Sequence, residues 1–310
     1  MSAKGQSAPR CAVFVGSYLS GKTSLLESVL VATGAVNRKG SVTEGNTVGD
    51  DSPEARARQM SVEINVATAD YLGDSWTFID CPGSVELAQE AINAVSIADA
   101  AVVVCDPDPQ KAMNVWSMLR FLKERSIPRM IFINKMDSHD SSVKATLDAL
   151  QAVSDEPLVL RAIPVRDGGE DITGHVDLVS ERTFHWKDSG PSDTTDMPVA
   201  EQAREQQART EMLEALADFD DDLLEKLLED EVPETDEIYG NLTKDFQEGK
   251  IVPVFFGSAE RGGGVRRLLK ALRHETPEPA QTVERLGIET SGAAMVQVFK
   301  TMNAPGAGKL

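Results

Sequence analysis

The stretch Gly16-Ser17-Tyr18-Leu19-Ser20-Gly21-Lys22-Thr23 constrains this chain more tightly than any other. It follows the apolar run Cys11-Ala12-Val13-Phe14-Val15 and precedes a helix-forming run, Ser24-Leu25-Leu26-Glu27-Ser28-Val29-Leu30. Strand, glycine-bounded loop and helix in that order fit GxxxxGK(S/T). In such a loop successive backbone N–H groups curl toward phosphate oxygens at the positive end of a helix. Residues Gly16 to Ser24 are therefore the phosphate-binding candidates, with Gly16, Ser17, Tyr18, Leu19, Ser20, Gly21, Lys22, Thr23 and Ser24 all included. Lys22 is placed to reach the outer phosphates, and the Thr23 hydroxyl to hold magnesium.

The first helix runs to about Ala32, with Gly34 as its stop. Residues 35–60 are polar and glycine-rich, then charged, and a connection that long inside a compact α/β unit is usually functional. Ser61 to Ala69 alternates like a half-exposed strand, Gly73-Asp74 supplies a turn, and Ser75 to Asp80 forms the next strand. Asp80-Cys81-Pro82-Gly83 closes it and fits DxxG, a weak signal alone but well placed after a phosphate loop. Asp80 suits a magnesium shell, and Gly83 can bring a backbone N–H to a terminal phosphate.

A helix over about 85–97, a buried strand over 100–106, a helix over about 111–125 and a strand over 129–133 follow. Strands alternating with helices imply a doubly wound, mostly parallel sheet whose ligands bind off the carboxyl strand edges. The expected fold is α/β, of the P-loop NTPase type. At the end of the last of these strands stands Asn134-Lys135-Met136-Asp137, which fits NKxD. A carboxylate only accepts hydrogen bonds, so Asp137 matches the N1–H and 2-amino donors of guanine, whereas adenine would leave it unpaired. Two bonds to a charged group, at ~1.5–3 kcal/mol each, separate GTP from ATP by orders of magnitude. Asn134 would tether neighbouring loops and the Lys135 stem would lie over the base.

A short helix over about 142–153 and an apolar run over 158–165 come next. Asp167-Gly168-Gly169 and Thr173 to Val179 read as hairpin material, and acidic amphipathic helices as 199–231 and 234–248. The central sheet resumes at 251–256 and ends in Gly257-Ser258-Ala259, a small-residue turn able to offer backbone N–H groups to guanine O6. The expected division is a flexible segment 1–10, a nucleotide domain of 11–155 with 251–276, and an α+β subdomain at 156–250, inserted before the last guanine-binding loop. A linker at 277–292 and a new β element at 293–310, taken as the start of a truncated second domain, complete it.

The net charge of −19 argues against nonspecific wrapping of nucleic acid and leaves only a local RNA contact open. Cys11, Cys81 and Cys105 lack metal-ligand spacing and read as thiols in a reducing compartment. Neither a signal peptide nor an 18-residue apolar run is present, so a cytosolic location is expected.

Together these motifs resemble the N-terminal part of elongation factor G and its paralogues among the translational GTPases. Four motifs occur in order, the insertion falls where that family carries an extra subdomain, and Thr173 to Leu178 is similar to its opening hairpin. The tail near Ala293 is similar to the first strand of the family's barrel domain. The resemblance implies a monomeric, cytoplasmic GTPase acting with magnesium on the ribosome, including its RNA locally, with neither membrane nor DNA as partner. It implies Thr23, Ser61 and Asp80 as the magnesium set and 35–61 as an effector loop. Lys22 and Ser84 take the catalytic positions, and Asn134, Lys135, Asp137, Gly257, Ser258 and Ala259 read guanine. Three places depart from the family pattern. Ser17 and Leu19 replace a His-x-Asp, Arg58-Gln59-Met60-Ser61 replaces Arg-Gly-Ile-Thr, and Ser84 stands where a water-orienting histidine is usual. A serine hydroxyl is shorter and uncharged, so nucleotide binding is better supported than fast hydrolysis, and a GTP-gated ribosome ligand is the alternative.

The guanine assignment has a direct test. Asp137→Asn should shift preference from GTP toward xanthosine triphosphate by at least about tenfold, because an amide can donate to the 2-oxo group. Competition binding measures this, and an unchanged GTP affinity would remove Asp137 from the base site.

Overall fold

A computed structural model describes residues 8–50, 52–137, 142–166, 171–187, 190–289, 292, 295–301, 303–304 and 308–309. The first half carries β1 (Arg10–Gly16), α1 (Lys22–Thr33), α2 (Pro53–Arg58), β2 (Asn65–Tyr71) and β3 (Asp74–Asp80). A 3-10 turn over Val85–Leu87 leads into α3 (Ala88–Val95), followed by β4 (Ala100–Cys105). A 3-10 stretch over Pro109–Val115 runs into α4 (Trp116–Glu124), then come β5 (Arg129–Ile133), α5 (Val143–Gln151) and β6 (Leu158–Leu160). Next are β7 (Ala162–Val165), β8 (Gly174–Asp177), β9 (Arg182–His185), β10 (Asp193–Asp196), α6 (Val199–Ala217), α7 (Asp221–Leu228) and α8 (Thr235–Gln247). The chain closes with β11 (Val252–Phe256), α9 (Val265–Glu275), α10 (Pro279–Arg285), β12 (Asn303–Ala304) and β13 (Gly308–Lys309).

Seven strands form the central sheet in the order β2-β3-β1-β4-β5-β11-β6. Every neighbouring pair is parallel except β2 with β3. The sequence explains the split. All residues of β4, β5 and β11 are buried, as continuous apolar runs covered on both faces must be. Edge strand β2 instead alternates buried and exposed positions. Along β1, Ala12 and Phe14 face a core shared with α1, α9 and helices of the insertion, while Val13 and Val15 face α3, α4 and α5. The α/β fold read from the sequence is the fold observed.

A second, antiparallel sheet, β10-β9-β8-β7, carries the insertion, and α6, α7 and α8 complete it. Its joint with the central sheet is ionic and buried. Nη1 of Arg161 donates to both carboxylate oxygens of Glu275 at 2.9 Å. Nε of Arg267 donates to Asp177 Oδ2 at 2.5 Å. Both guanidinium groups lie over the Phe255 ring, at 5.6 and 5.2 Å from its centre. Burial opposes ionisation of Asp177, yet Arg267 and the backbone N–H of Ser180 hold its carboxyl well below the usual carboxylate range.

Several expected boundaries move. The apolar run 158–165 is two strands: Leu158–Leu160 joins β11 in the central sheet, and the chain turns at Arg161 into the second sheet. The chain therefore leaves the central sheet after Leu160. The helix expected over 199–231 breaks after Ala217, because the Asp220 side chain caps a new start by accepting from Leu223 N. The strand expected from Ser61 begins at Asn65, and the turn lies at Leu72-Gly73, both with positive φ. The segment read as a linker contains α10, whose Arg285 donates to the Ala98 carbonyl at 2.7 Å. Residues 295–300 are not a strand, since a strand needs a hydrogen-bonding neighbour and the only pairing described there is β12 with β13. Asp167-Gly168-Gly169, residues 1–7 and Ala293 lie outside the described residues.

His175 of β8 is buried, stacks on Phe184 with ring centres 5.1 Å apart, and accepts from Trp186 Nε1 at 2.9 Å. Burial, with Arg267 nearby, pushes its pKa from 6.5 down to about 3. A folded-state value below the unfolded one means the neutral ring's contribution is complete above pH 6.5 and is lost as pH falls toward 3. Unfolding free energy should drop by ~1.4 kcal/mol per pH unit in that window from this group. Urea titrations of a His175→Gln chain should show a slope shallower by that amount; equal slopes would exclude His175 as the source.

Candidate nucleotide-binding site

The phosphate loop is built by close approach. At the end of β1, Gly16 sits opposite Val104 of β4, and a Cβ there would stand 2.1 Å from the Val104 carbonyl oxygen. Gly21 caps α1 with φ 89°, and its Cβ would meet Asn134 Nδ2 at 2.3 Å. Both positions accept only glycine. Lys22 folds back over the loop, its Nζ donating to Ser17 O at 2.8 Å and Gly16 O at 3.2 Å. Desolvation lowers its pKa, although Asp80 works in the opposite direction. Gly83 packs under the same ammonium, where a Cβ would lie 2.4 Å from Nζ. Ser20 is buried and Ser17, Gly21 and Ser24 are partly so, while Tyr18 and Leu19 project outward, 51% and 60% exposed.

Beside the lysine lies a knot of buried oxygens. Thr23 Oγ1 donates to Asp80 Oδ2 at 2.7 Å and lies 3.0 Å from Ser61 Oγ, which is itself 3.4 Å from Asp80 Oδ2. Asp80 is wholly buried, and its Oδ1 has no hydrogen-bond partner among the described residues. Burial raises its pKa to about 7 against the opposing pull of Lys22. The three residues assigned to magnesium thus come together, and they present hard oxygen donors around an unsatisfied carboxylate, which fits that ion. Among the described residues no cluster of three His, Cys, Asp or Glu side chains offers another metal site. Asp50 also belongs here: Ser61 Oγ donates to its Oδ2 at 3.2 Å and Asn65 Nδ2 to its Oδ1 at 2.9 Å. Sequence reasoning missed Asp50 and Asn65, because no periodicity marks residues inside a long polar loop.

Asn134 unites the base-side loops. Its Nδ2 donates to Ser20 O at 2.9 Å, and its Oδ1 accepts from Ala259 N at 2.8 Å. Lys135 has φ 61° and sends Nζ to Asp106 Oδ2 at 3.2 Å; Asp137 is partly exposed beside Arg261 Nε at 3.8 Å. Gly257, Ser258 and Ala259 stand in the expected turn, but their N–H groups donate within the protein. Gly257 donates to Ile133 O, Ser258 to Gly263 O, and Ala259 to Asn134. In this structure the turn orients Asn134 rather than offering a spare donor, because strand-end and side-chain acceptors reach it first.

A cavity of about 370 Å³ runs along this surface, walled by Gly21, Lys22, Thr23, Asp50, Ser61, Gly83 and Lys135 among others. Ser84 is not in its wall. It begins the 3-10 turn, its carbonyl accepting from Leu87 N at 3.0 Å, and Val85 beyond it is 90% exposed. A larger cleft of about 810 Å³ between α8 and α9 contains none of the motif residues, so chemistry rather than size identifies the site.

Residues 8–278 match the family described as the elongation factor Tu GTP binding domain. The chain belongs to that family. Among curated proteins it is similar to an elongation factor G-like protein of Synechocystis sp., 44% identical over 298 residues, covering 96% of this chain and 44% of the relative. It is 32% identical over 314 residues to elongation factor G of Thermotoga maritima, covering 94% of this chain and 44% of that protein. A crystal structure of a protein from Thermus thermophilus superposes with a TM-score of 0.85 at 29% identity, over 98% of this chain and 44% of that one. The chain thus spans less than half the length of these relatives. Family membership makes it a GTP-binding-domain protein of the elongation factor Tu type, similar over nearly its whole length to elongation factor G and an elongation factor G-like protein.

Gly21→Ala should be doubly costly, through the positive φ and the collision with Asn134. The expected loss is roughly 1–3 kcal/mol of stability and at least about tenfold in GDP affinity. Urea unfolding and calorimetric titration read the two, and wild-type values in both would show that Asn134 is not held by this contact.

Proposed function

We propose that this chain is the magnesium-dependent GTP switch of an elongation-factor-G-like translation factor, which hydrolyses GTP to GDP and phosphate on the ribosome. The observation that carries the proposal is the meeting of Thr23, Ser61 and the unsatisfied Asp80 carboxylate beside Lys22. The loop N–H groups between Gly16 and Ser24, with Lys22, bind and orient the phosphates, and Gly83 brings its backbone to the terminal one. Thr23 and Ser61, with Asp80, would hold magnesium, and the ion would supply neutralisation of phosphate charge. Asp137 accepts from the two guanine donors and Lys135 covers the base. Asn134, held by Ala259 of the turn that also includes Gly257 and Ser258, fixes the geometry.

In this reading 11–160 with 251–276 is the nucleotide domain and 161–250 the inserted subdomain. The effector loop, 35–61, changes order with the terminal phosphate and reports it to the ribosome. The net charge of −19 restricts contact with ribosomal RNA to local patches and disfavours DNA. Among the described residues no helix is long and apolar enough to cross a membrane, and we place the factor in the cytoplasm as a monomer.

A second reading is a GTP-gated ribosome ligand with little turnover. Ser84 favours it, since a short hydroxyl outside the cavity wall is poorly built to orient an attacking water. Phosphate release by the full-length protein, with and without ribosomes and beside Ser84→His, separates the two. Stimulation of the native protein by about a hundredfold or more supports the GTPase reading. Binding without turnover, restored in part by histidine, supports the ligand reading. Failure to bind GTP at all would overturn both.

A further inference from the structure

The effector loop is fastened by two side chains that the proposed switch does not use. The first is Glu27, on α1 five residues after the phosphate-loop lysine and fully buried. Its Oε2 accepts from Gly40 N at 2.8 Å and its Oε1 from Val48 N at 2.6 Å, so one carboxylate grips both ends of the stretch 40–48. Only glycine fits at the first grip, because a Cβ on Gly40 would stand 2.6 Å from Asn46 O and 2.9 Å from Glu27 Oε2. A buried carboxylate without these donors would be strongly penalised, so the loop and the glutamate hold each other in place.

The second is Lys39, immediately before the gripped stretch. Its ammonium donates to Ala259 O at 2.8 Å and Glu260 O at 2.6 Å, with Glu260 Oε2 at 3.3 Å. Ser28 Oγ, on the same helix as Glu27, also donates to Ala259 O. Ala259 is the residue whose N–H orients Asn134. On the same residue as the N–H that orients Asn134, therefore, stands the carbonyl that captures the effector loop. The contacts form a continuous path, Asn134 to Ala259 to Lys39 to Gly40 to Glu27, every link of it a hydrogen bond or a covalent neighbour.

We infer that Lys39 and Glu27 are positioning residues that couple the turn orienting Asn134 to the effector loop, so that seating the base orders residues 40–48. This rests on the nucleotide reading above and adds a route by which the base, and not only the terminal phosphate, controls the loop. Coupling by a path like this needs the turn to bias the loop, and a lysine bonded to two consecutive carbonyls of the turn provides that bias.

The test is amide hydrogen exchange at Gly40 and Val48 in the full chain, with and without GDP, for the native sequence, Lys39→Met and Lys39→Arg, with GDP affinity measured separately by calorimetry. GDP should slow exchange at both amides by about tenfold or more in the native chain, and Lys39→Arg, which keeps the donors, should preserve that effect. Lys39→Met should bind GDP within about threefold of native while losing most of the slowing, an outcome that a merely structural lysine would not give. Full GDP-dependent slowing in Lys39→Met overturns the coupling and leaves the nucleotide reading intact. Absence of GDP binding in the native chain overturns the nucleotide reading, and the coupling falls with it. As a check on the carboxylate, Glu27→Gln should speed exchange at Gly40 and Val48 without nucleotide, and unchanged rates would remove Glu27 from the clasp.

Discussion

The completely buried carboxylate of Asp80 is the constraint around which the nucleotide end of the molecule is arranged. Removing a charge from water is expensive, and here only Thr23 and Ser61 hydroxyls and the nearby Lys22 offset the cost. The pKa, lifted to about 7, records the shortfall. Such a group is held in place by topology. Parallel pairing sets Phe14 of β1 opposite Asp80 of β3, so the strand that enters the phosphate loop lies against the strand that ends in the carboxylate. The same registers carry the other motifs to one edge, with Gly16 opposite Val104, Cys105 opposite Ile133, and Ile133 opposite Phe256. Asn134 and Gly257 follow directly, which is why motifs separated by more than a hundred residues meet within hydrogen-bond distance.

The insertion is held by a different kind of contact. Arg161 and Arg267 bracket the Phe255 ring and are neutralised by Glu275 and Asp177. A buried ion pair is weak support for stability, because desolvation consumes much of the attraction, but it is demanding of geometry. Phe255 belongs to β11, whose end is the guanine-side turn, so the bracket also fixes where Gly257 to Ala259 stand. The insertion and the turn that orients Asn134 therefore share a foundation, although their sequences lie far apart.

Legibility followed the physics of each element. The buried parallel strands were readable because complete coverage demands continuous apolar runs, and the three motifs were readable because each closes such a strand. The run 158–165 misled, since Arg161 interrupts it only through a partner, Glu275, that lies 114 residues away. The strand expected at 295–300 is absent there because pairing is a property of neighbours; the described strands of that region, β12 and β13, pair with each other. In the site, the meeting of Thr23, Asp80 and Asn134 with their neighbours was legible from motif position, and that of Ser61 from the family resemblance. Asp50, Asn65, Glu27 and Lys39 were not, because their roles arise from where an aperiodic loop returns to α1 and the guanine turn. The donors assigned to Gly257, Ser258 and Ala259 show the same limit: a turn's sequence indicates its conformation, while its neighbours decide where its N–H groups point.

Ser84 divides the site into two physical regimes. The groups that the proposal assigns to phosphate and to the base-side loops, Lys22, Thr23, Asp80 and Asn134, are buried and interlocked, and substitutions among them would be felt throughout the knot. Ser84 lies at the start of a short 3-10 turn, with highly exposed Val85 following it, and among the described residues its side chain makes no hydrogen bond to the knot. In the proposed reading, a change at Ser84 alters the height of the hydrolytic barrier while leaving the bound-state geometry in place. Such a separation lets one fold serve as a fast GTPase or a slow timer without rebuilding its binding site.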